Sequence, residues 1–166
     1  MSEHAMLLDG GVPVDTALRA GAPLDVAGLA EPRVGAHLAV ILGTSLHGHM
    51  PAARALLAVE AVCGALVVTG GGRPTGYLDG STVRPVNDVD LMLEGCLLEV
   101  DGQIVDSAAA AAVRLAGALV RAASAMELPA GAVLLSRALT EPVPVRQGNR
   151  IAAHFSTLGS LTIAVC

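Results

Sequence analysis

Lysine is missing from this chain. All ten basic side chains are arginines, set against fifteen Asp and Glu for a formal charge of −5. Without a side-chain amine no Schiff-base chemistry is open to the protein. Without a concentrated basic face, nucleic acid has nothing to grip through its phosphates. Aromatic residues are nearly missing too: one Tyr, one Phe and no Trp, although 53% of the residues are hydrophobic. The interior must then be packed from Ala, Val, Leu and Ile. Each buries little area at ~25 cal/mol per Å², so a homodimer or higher homo-oligomer is expected. Cys63, Cys96 and Cys166 are odd in number and lack metal-type spacing, which points to reduced thiols rather than a disulfide framework or a zinc site. Long apolar runs are missing as well. Arg54, Glu60, Arg114 and Arg121 interrupt them before the ~20 residues that a membrane span needs. No charged start, apolar core and cleavage site open the chain, so a cytoplasmic protein is expected.

What is present suits one domain, since 166 residues are enough to bury a real core. Residues 1–13, with two glycines and a proline, read as a loose arm, and residues 14–166 as the domain. Pro51 opens a helix expected over Ala52 to about Val62, followed by a buried strand from Cys63 to Gly70. Asp88 to Val100 and Gln103 to Val105 read as two strands joined by Asp101-Gly102, the strongest hairpin signal in the chain. Asp106 or Ser107 is expected to cap a helix running from Ala108 to Met126 on alanine content. Gly70-Gly71-Gly72 follows a strand without Lys-Ser or Lys-Thr and opens no helix, so it is no phosphate loop. No Gly-x-Ser-x-Gly elbow is present.

The last third is the most informative stretch. Pro142 and Pro144 cannot donate to a central ladder, which puts Val143 and Val145 on an edge or in an extended connection. Gln147-Gly148-Asn149 is a turn whose glycine can take positive φ. Ile151 to Phe155 and Leu161 to Val165 alternate around Leu158-Gly159-Ser160, a second hairpin signal.

These residues also carry a resemblance. Leu134-Leu135-Ser136, then Leu139-Thr140-Glu141-Pro142-Val143-Pro144-Val145, a Gly turn, a strand ending in Phe155 and Leu158-Gly159-Ser160 resemble the C-terminus of one branch of the fumarylacetoacetate hydrolase superfamily. That branch comprises the 2-hydroxypenta-2,4-dienoate hydratases and 4-oxalocrotonate decarboxylases. Val14 to Leu24 with its Gly-Ala-Pro turn, Glu31 to Gly43, and Cys63-Gly64-Ala65-Leu66-Val67-Val68 are similar to further segments of the family. The resemblance implies an α+β, mainly β fold: a mixed β roll or sandwich with one or two packed helices. It also implies a magnesium or manganese ion held by three carboxylates and binding a 2-oxo or 2-hydroxy acid. Hard oxygen ligands suit such a cation, and the cation stabilises an enolate.

Two of those carboxylates form a Glu-x-Glu pair, alternate positions of one strand that share a face. Here the two positions are Gly35 and His37, so no ion is expected at the family position. His37, Asp15 and Glu60 are the candidate catalytic residues for proton transfer, because a neutral imidazole works near pH 7 without an ion. Glu60 stands at the third acidic position, in Ala58-Val59-Glu60-Ala61-Val62. Arg33, Gly35, Thr140 and Arg146 are the candidate substrate-binding positions, the arginines through bidentate forks to a carboxylate. The expected activity is a hydratase- or decarboxylase-like lyase, or a cyclase, on a small or polyketide-like enolisable acid in specialised metabolism. One alternative is a non-catalytic accessory subunit in a hetero-complex with a related enzyme. Another is a lyase whose metal site is rebuilt from His37, His47 and His49 for zinc, nickel or ferrous iron.

Overall fold

The structure, a computed structural model, describes residues 5–166. Two sheets form it. The larger contains β1 (Ala5–Leu7), β2 (Val12–Val14), β3 (Arg33–Leu42), β4 (Val59–Gly70), β5 (Arg73–Asp79), β6 (Arg84–Pro85), β9 (Val133–Leu135) and β10 (Val143–Pro144). Its order is β2-β1-β9-β3-β4-β5, with β10 also on β3 and β6 also on β4. The smaller contains β7 (Gly95–Val100), β8 (Gln103–Ala109), β11 (Arg150–Phe155) and β12 (Gly159–Ala164), ordered β12-β11-β7-β8. Helices α1 (Ala52–Leu57) and α2 (Leu115–Ala125) complete the chain.

The larger sheet curls until its ends nearly meet. The Tyr77 N–H on β5 donates to the Thr16 carbonyl at 2.9 Å, and the Leu18 N–H donates to the Tyr77 carbonyl at 2.7 Å. The segment after β2 thus returns to the opposite edge. Curling gives β3 two different faces, because successive side chains alternate. Val34, Ala36, Leu38, Val40 and Leu42 join the main core, shared with the smaller sheet and α2. Gly35, His37, Ala39 and Ile41 turn inward, where Ala5, Val14, Cys63, Ala65, Val67, Tyr77 and Leu135 form a second, tighter cluster. Small residues dominate that interior because a narrow roll leaves room for little else. Between the sheets, Phe155 lies across Gly64, where a Cβ would collide with its ring. Buried Glu94 ties the β11–β12 turn to β7: its carboxylate accepts the Thr157 and Leu158 N–H groups and the Thr157 hydroxyl.

The mainly β architecture, the hairpins at Asp101-Gly102 and before Gly159, and the edge position of Val143 agree with the sequence reading. Four local expectations do not. Of the arm expected over residues 1–13, residues 1–4 lie outside the described residues, and residues 5–13 form with Val14 the β1–β2 hairpin, β1 also running parallel to β9; Ala5 and Val14 are held by burial inside the roll. The helix expected to about Val62 stops at Leu57, because Val59 already pairs with Leu42 and β-branched residues suit that buried ladder. The strand expected from Asp88 begins only at Gly95, after a short 3-10 turn at Val86–Asp88. The helix expected from Ala108 begins at Leu115. Asp106 to Ala109 are instead claimed by the ladder to β7, and Arg114 takes a left-handed conformation (φ 47°) that resets the chain direction. Asp106 caps no helix; its carboxylate accepts the N–H groups of Ser107 and Glu141.

Candidate functional site

Residues 136–142 bridge the gap on β3 between its pairing with β9 at Ala39–Ile41 and with β10 at Arg33–Val34. Side-chain hydroxyls take over the ladder there. The Ala36 N–H donates to Thr140 Oγ1 at 3.1 Å and the Leu38 N–H to Ser136 Oγ at 2.9 Å. Backbone bonds from Ser136 N–H to the Leu38 carbonyl and from Leu139 N–H to the Ala36 carbonyl finish the seam. Thr140, one of the expected site residues, is therefore buried and engaged with the backbone of β3.

Against this seam stands His37, only 6% exposed. Its Nδ1 lies 2.7 Å from the Ser136 carbonyl oxygen. A carbonyl can only accept, so the proton sits on Nδ1 and the Nε2 lone pair faces away. Nε2 has no hydrogen-bond partner among the described residues, yet no fully sealed side-chain nitrogen or oxygen there lacks one. It follows that Nε2 keeps contact with solvent. Burial pushes the His37 pKa down to about 4, with the Ser136 carbonyl opposing the shift. The imidazole is thus neutral at pH 7, a proton acceptor rather than a cation.

Gly35 lies beside it. A Cβ built there would meet Pro142 Cγ at 3.3 Å and His37 Nε2 at 3.6 Å, so the proline fills the space a side chain would take. Arg33 fixes that arrangement, since its guanidinium donates to the Pro142 carbonyl at 3.0 Å. Gly35, His37, Arg33 and Thr140 are brought together in this way, with Ser136 and Pro142 added by the fold. Across β4 the register continues the inner face: Gly35–Val67–Tyr77 and His37–Ala65–Asp79 form adjacent rows. Burial, with the Asp79 carboxylate adding to it, raises the Cys63 thiol to about 11 and raises the Tyr77 hydroxyl.

The other expected residues are exposed. Glu60 is exposed at the bulge where β4 begins, five residues from Ala65, roughly 16 Å at the usual strand rise. Asp15 is exposed just past the end of β2. Arg146 is exposed in the turn before β11, its backbone N–H held by Asn149 Oδ1. His47 and His49 sit exposed on the loop beyond the far end of β3, so they do not join His37. Among the described residues, no group of three His, Cys, Asp or Glu comes close enough together to hold a metal ion. The residues here do not fit a magnesium or manganese ion: Gly35 offers no donor, His37 Nδ1 is engaged, and Glu60 is distant. The histidine-built metal site has no geometric basis either.

No family model matches the chain. It is 27% identical to a 4-oxalocrotonate decarboxylase of a Pseudomonas species over 181 residues, covering 95% of this chain and 70% of the relative. The fold matches 4-oxalocrotonate decarboxylase from Pseudomonas putida G7, solved with magnesium and adipate. The TM-score there is 0.85 at 22% identity, over 98% of this chain and 77% of the other. These relatives and structural neighbours support the resemblance to the 4-oxalocrotonate decarboxylase branch of the fumarylacetoacetate hydrolase-like superfamily. A more distant member of this fold, maleylpyruvate hydrolase from Sphingobium sp. SYK-6, matches with a TM-score of 0.76 at 18% identity, over 90% of this chain and 61% of the other. Ser136, Pro142, Tyr77 and Asp79 escaped the sequence reading. Ser136 was open to discovery as the end of the Leu134-Leu135-Ser136 strand; the other three owe their place to register alone.

Proposed function

We propose that this fumarylacetoacetate hydrolase-like chain is a hydratase- or decarboxylase-type lyase that handles a small enolisable acid without the divalent ion, moving protons through His37. One observation carries the reading: the Ser136 carbonyl fixes the imidazole as the Nδ1–H form, which leaves Nε2 without a hydrogen-bond partner among the described residues. In a fold shared with decarboxylases, that lone pair is the group able to take a proton from the carbon beside a carbonyl. The electrons of the C–H bond then enter the enolate, and the imidazolium returns the proton at the same or a conjugated carbon. Such base catalysis contributes about 10²–10⁴-fold. Arg33 and Thr140 serve by holding the 136–142 seam rather than by touching the acid. An oligomer belongs to the proposal and is supported by the exposure of Leu93 and Ile104.

The test is hydrogen–deuterium exchange at C3 of 2-oxopentanoate, followed by NMR in the presence of a chelator. Exchange above the buffer rate, undiminished by chelator and lowered about 100-fold in His37→Gln, is expected. Equal rates in wild type and His37→Gln would defeat the assignment, and loss of exchange on chelation would restore an ion-dependent mechanism. A second reading, the accessory subunit, is favoured by Pro142 filling the space above Gly35. Its signature is no exchange with any 2-oxo acid, together with a stable mixed complex formed with a metal-dependent decarboxylase.

A further inference from the structure

A roomy cavity lies on the other side of β3. Its volume is about 640 Å³ and it opens against Leu38, whose side chain points away from His37. That volume is within the roughly 300–1,000 Å³ range of small-molecule sites. Its walls are apolar: Leu56 and Leu57 from α1, Val89 and Met92 from the segment before β7, and Leu115 at the start of α2. Leu57 and Met92 stand at the rim, 85% and 71% exposed, which is costly for a surface that meets only water.

One cationic side chain, Arg114, and one carboxylate, Asp90, stand in the cavity wall. Arg114, Ala116 and Gly117 line the cavity. Arg114 forms no ion pair among the described residues, and it keeps a guanidinium at a left-handed position (φ 47°) where glycine would fit without strain. Helix α2 starts at this wall with no side-chain cap and no acidic residue in its first turn. Its first N–H groups and the positive end of its dipole therefore border the cavity. The carboxylate that also lines it, Asp90, is occupied by the Met92 N–H at 3.0 Å.

We infer that this cavity binds an apolar carboxylic acid, its chain against Leu38, Val89 and Leu115 and its carboxylate between Arg114 and the start of α2. The site is separate from His37, and the inference stands whether or not His37 moves protons. An alcohol of equal chain length would keep the apolar contacts and lose the charged ones.

Titration calorimetry with octanoate and 1-octanol tests it. Arg114→Gly removes the guanidinium at a backbone position that suits glycine, and Ala116→Phe fills the cavity from its half-buried wall. Arg114→Gly is expected to weaken octanoate about tenfold or more, the worth of a charge-assisted hydrogen bond, and to change octanol less than about twofold. Ala116→Phe should abolish binding of both, and His37→Gln should leave both unchanged. The inference fails if octanoate does not bind wild-type protein at about 1 mM. It fails equally if Arg114→Gly binds octanoate as well as wild type does, or if Ala116→Phe still binds it.

Discussion

The two faces of β3 separate reactivity from room. Inward, Gly35 and His37 share a face on which every neighbour is close: Pro142 over Gly35, Ser136 on the imidazole, Ala65 opposite. Outward, Leu38 has no reactive atom but borders about 640 Å³ of open space. One strand can be specialised twice over because alternation sends odd and even residues into environments with no side chain in common. A narrow roll lined mostly with Ala and Val packs closely. A seam between a sheet and two helices leaves space wherever side chains run short.

The comparison can be broken first from the outer side. Gly64→Ala would drive a methyl into the Phe155 ring that joins the two sheets, and a loss of about 3 kcal/mol or more is expected in urea unfolding. A glycine tolerant of this change would mean that the sheets are not locked together there. On the inner side, acid is the probe. The folded pKa of His37 is lowered from 6.5 to about 4, so between these values the unfolded chain binds a proton that the folded chain refuses. Stability is full above pH 6.5 and falls as the pH drops toward 4, by roughly 3 kcal/mol in total from this one group. His37→Leu should remove that acid-dependent part while adding a constant cost for the unpaired Ser136 carbonyl. Unfolding midpoints at pH 7 and 4.5 read both, and an unchanged pH slope would show that the imidazole is not buried.

Smaller effects sharpen the picture. Gly35→Ala presses a Cβ against Pro142 and should cost about 1 kcal/mol. Pro142→Ala made alongside it should recover much of that loss, a coupling of about 0.5 kcal/mol or more that a double-mutant cycle detects. Independent, additive losses would mean that the proline does not fill the glycine's space. Glu60→Gln is expected to change stability by less than about 0.5 kcal/mol, as for an exposed residue, and to leave 2-oxopentanoate exchange untouched.

Much of the fold was legible because its signals are local. Asp101-Gly102 makes a tight turn with both residues at positive φ, and Gly148 takes the positive φ expected of a turn glycine. What misled was alanine. Residues 108–113 read as α-helix because alanine has the best helix propensity, but Ala108 and Ala109 lie in a ladder whose hydrogen bonds outweigh a preference of a few tenths of a kcal/mol per residue, and Ala110–Val113 form a short 3-10 helix instead. Val59 to Val62 failed for the converse reason, a strand concealed behind a short helix. At the site, Gly35 and His37 were picked out through the family resemblance of their strand. The remoteness of Glu60 was not visible, since it depends on which residue of β4 faces His37.

From residue identity alone came the turns, the alternating strands and the arginine-only charge. Each of these is a property of a few neighbouring residues. Folding added the rest: the closure of the roll through Thr16 and Tyr77, the Ser136 carbonyl that sets the imidazole's proton, the proline over Gly35 and the hollow beneath Leu38. These arise from pairing and packing between segments up to about a hundred residues apart in the chain, where backbone register rather than local preference selects the neighbours.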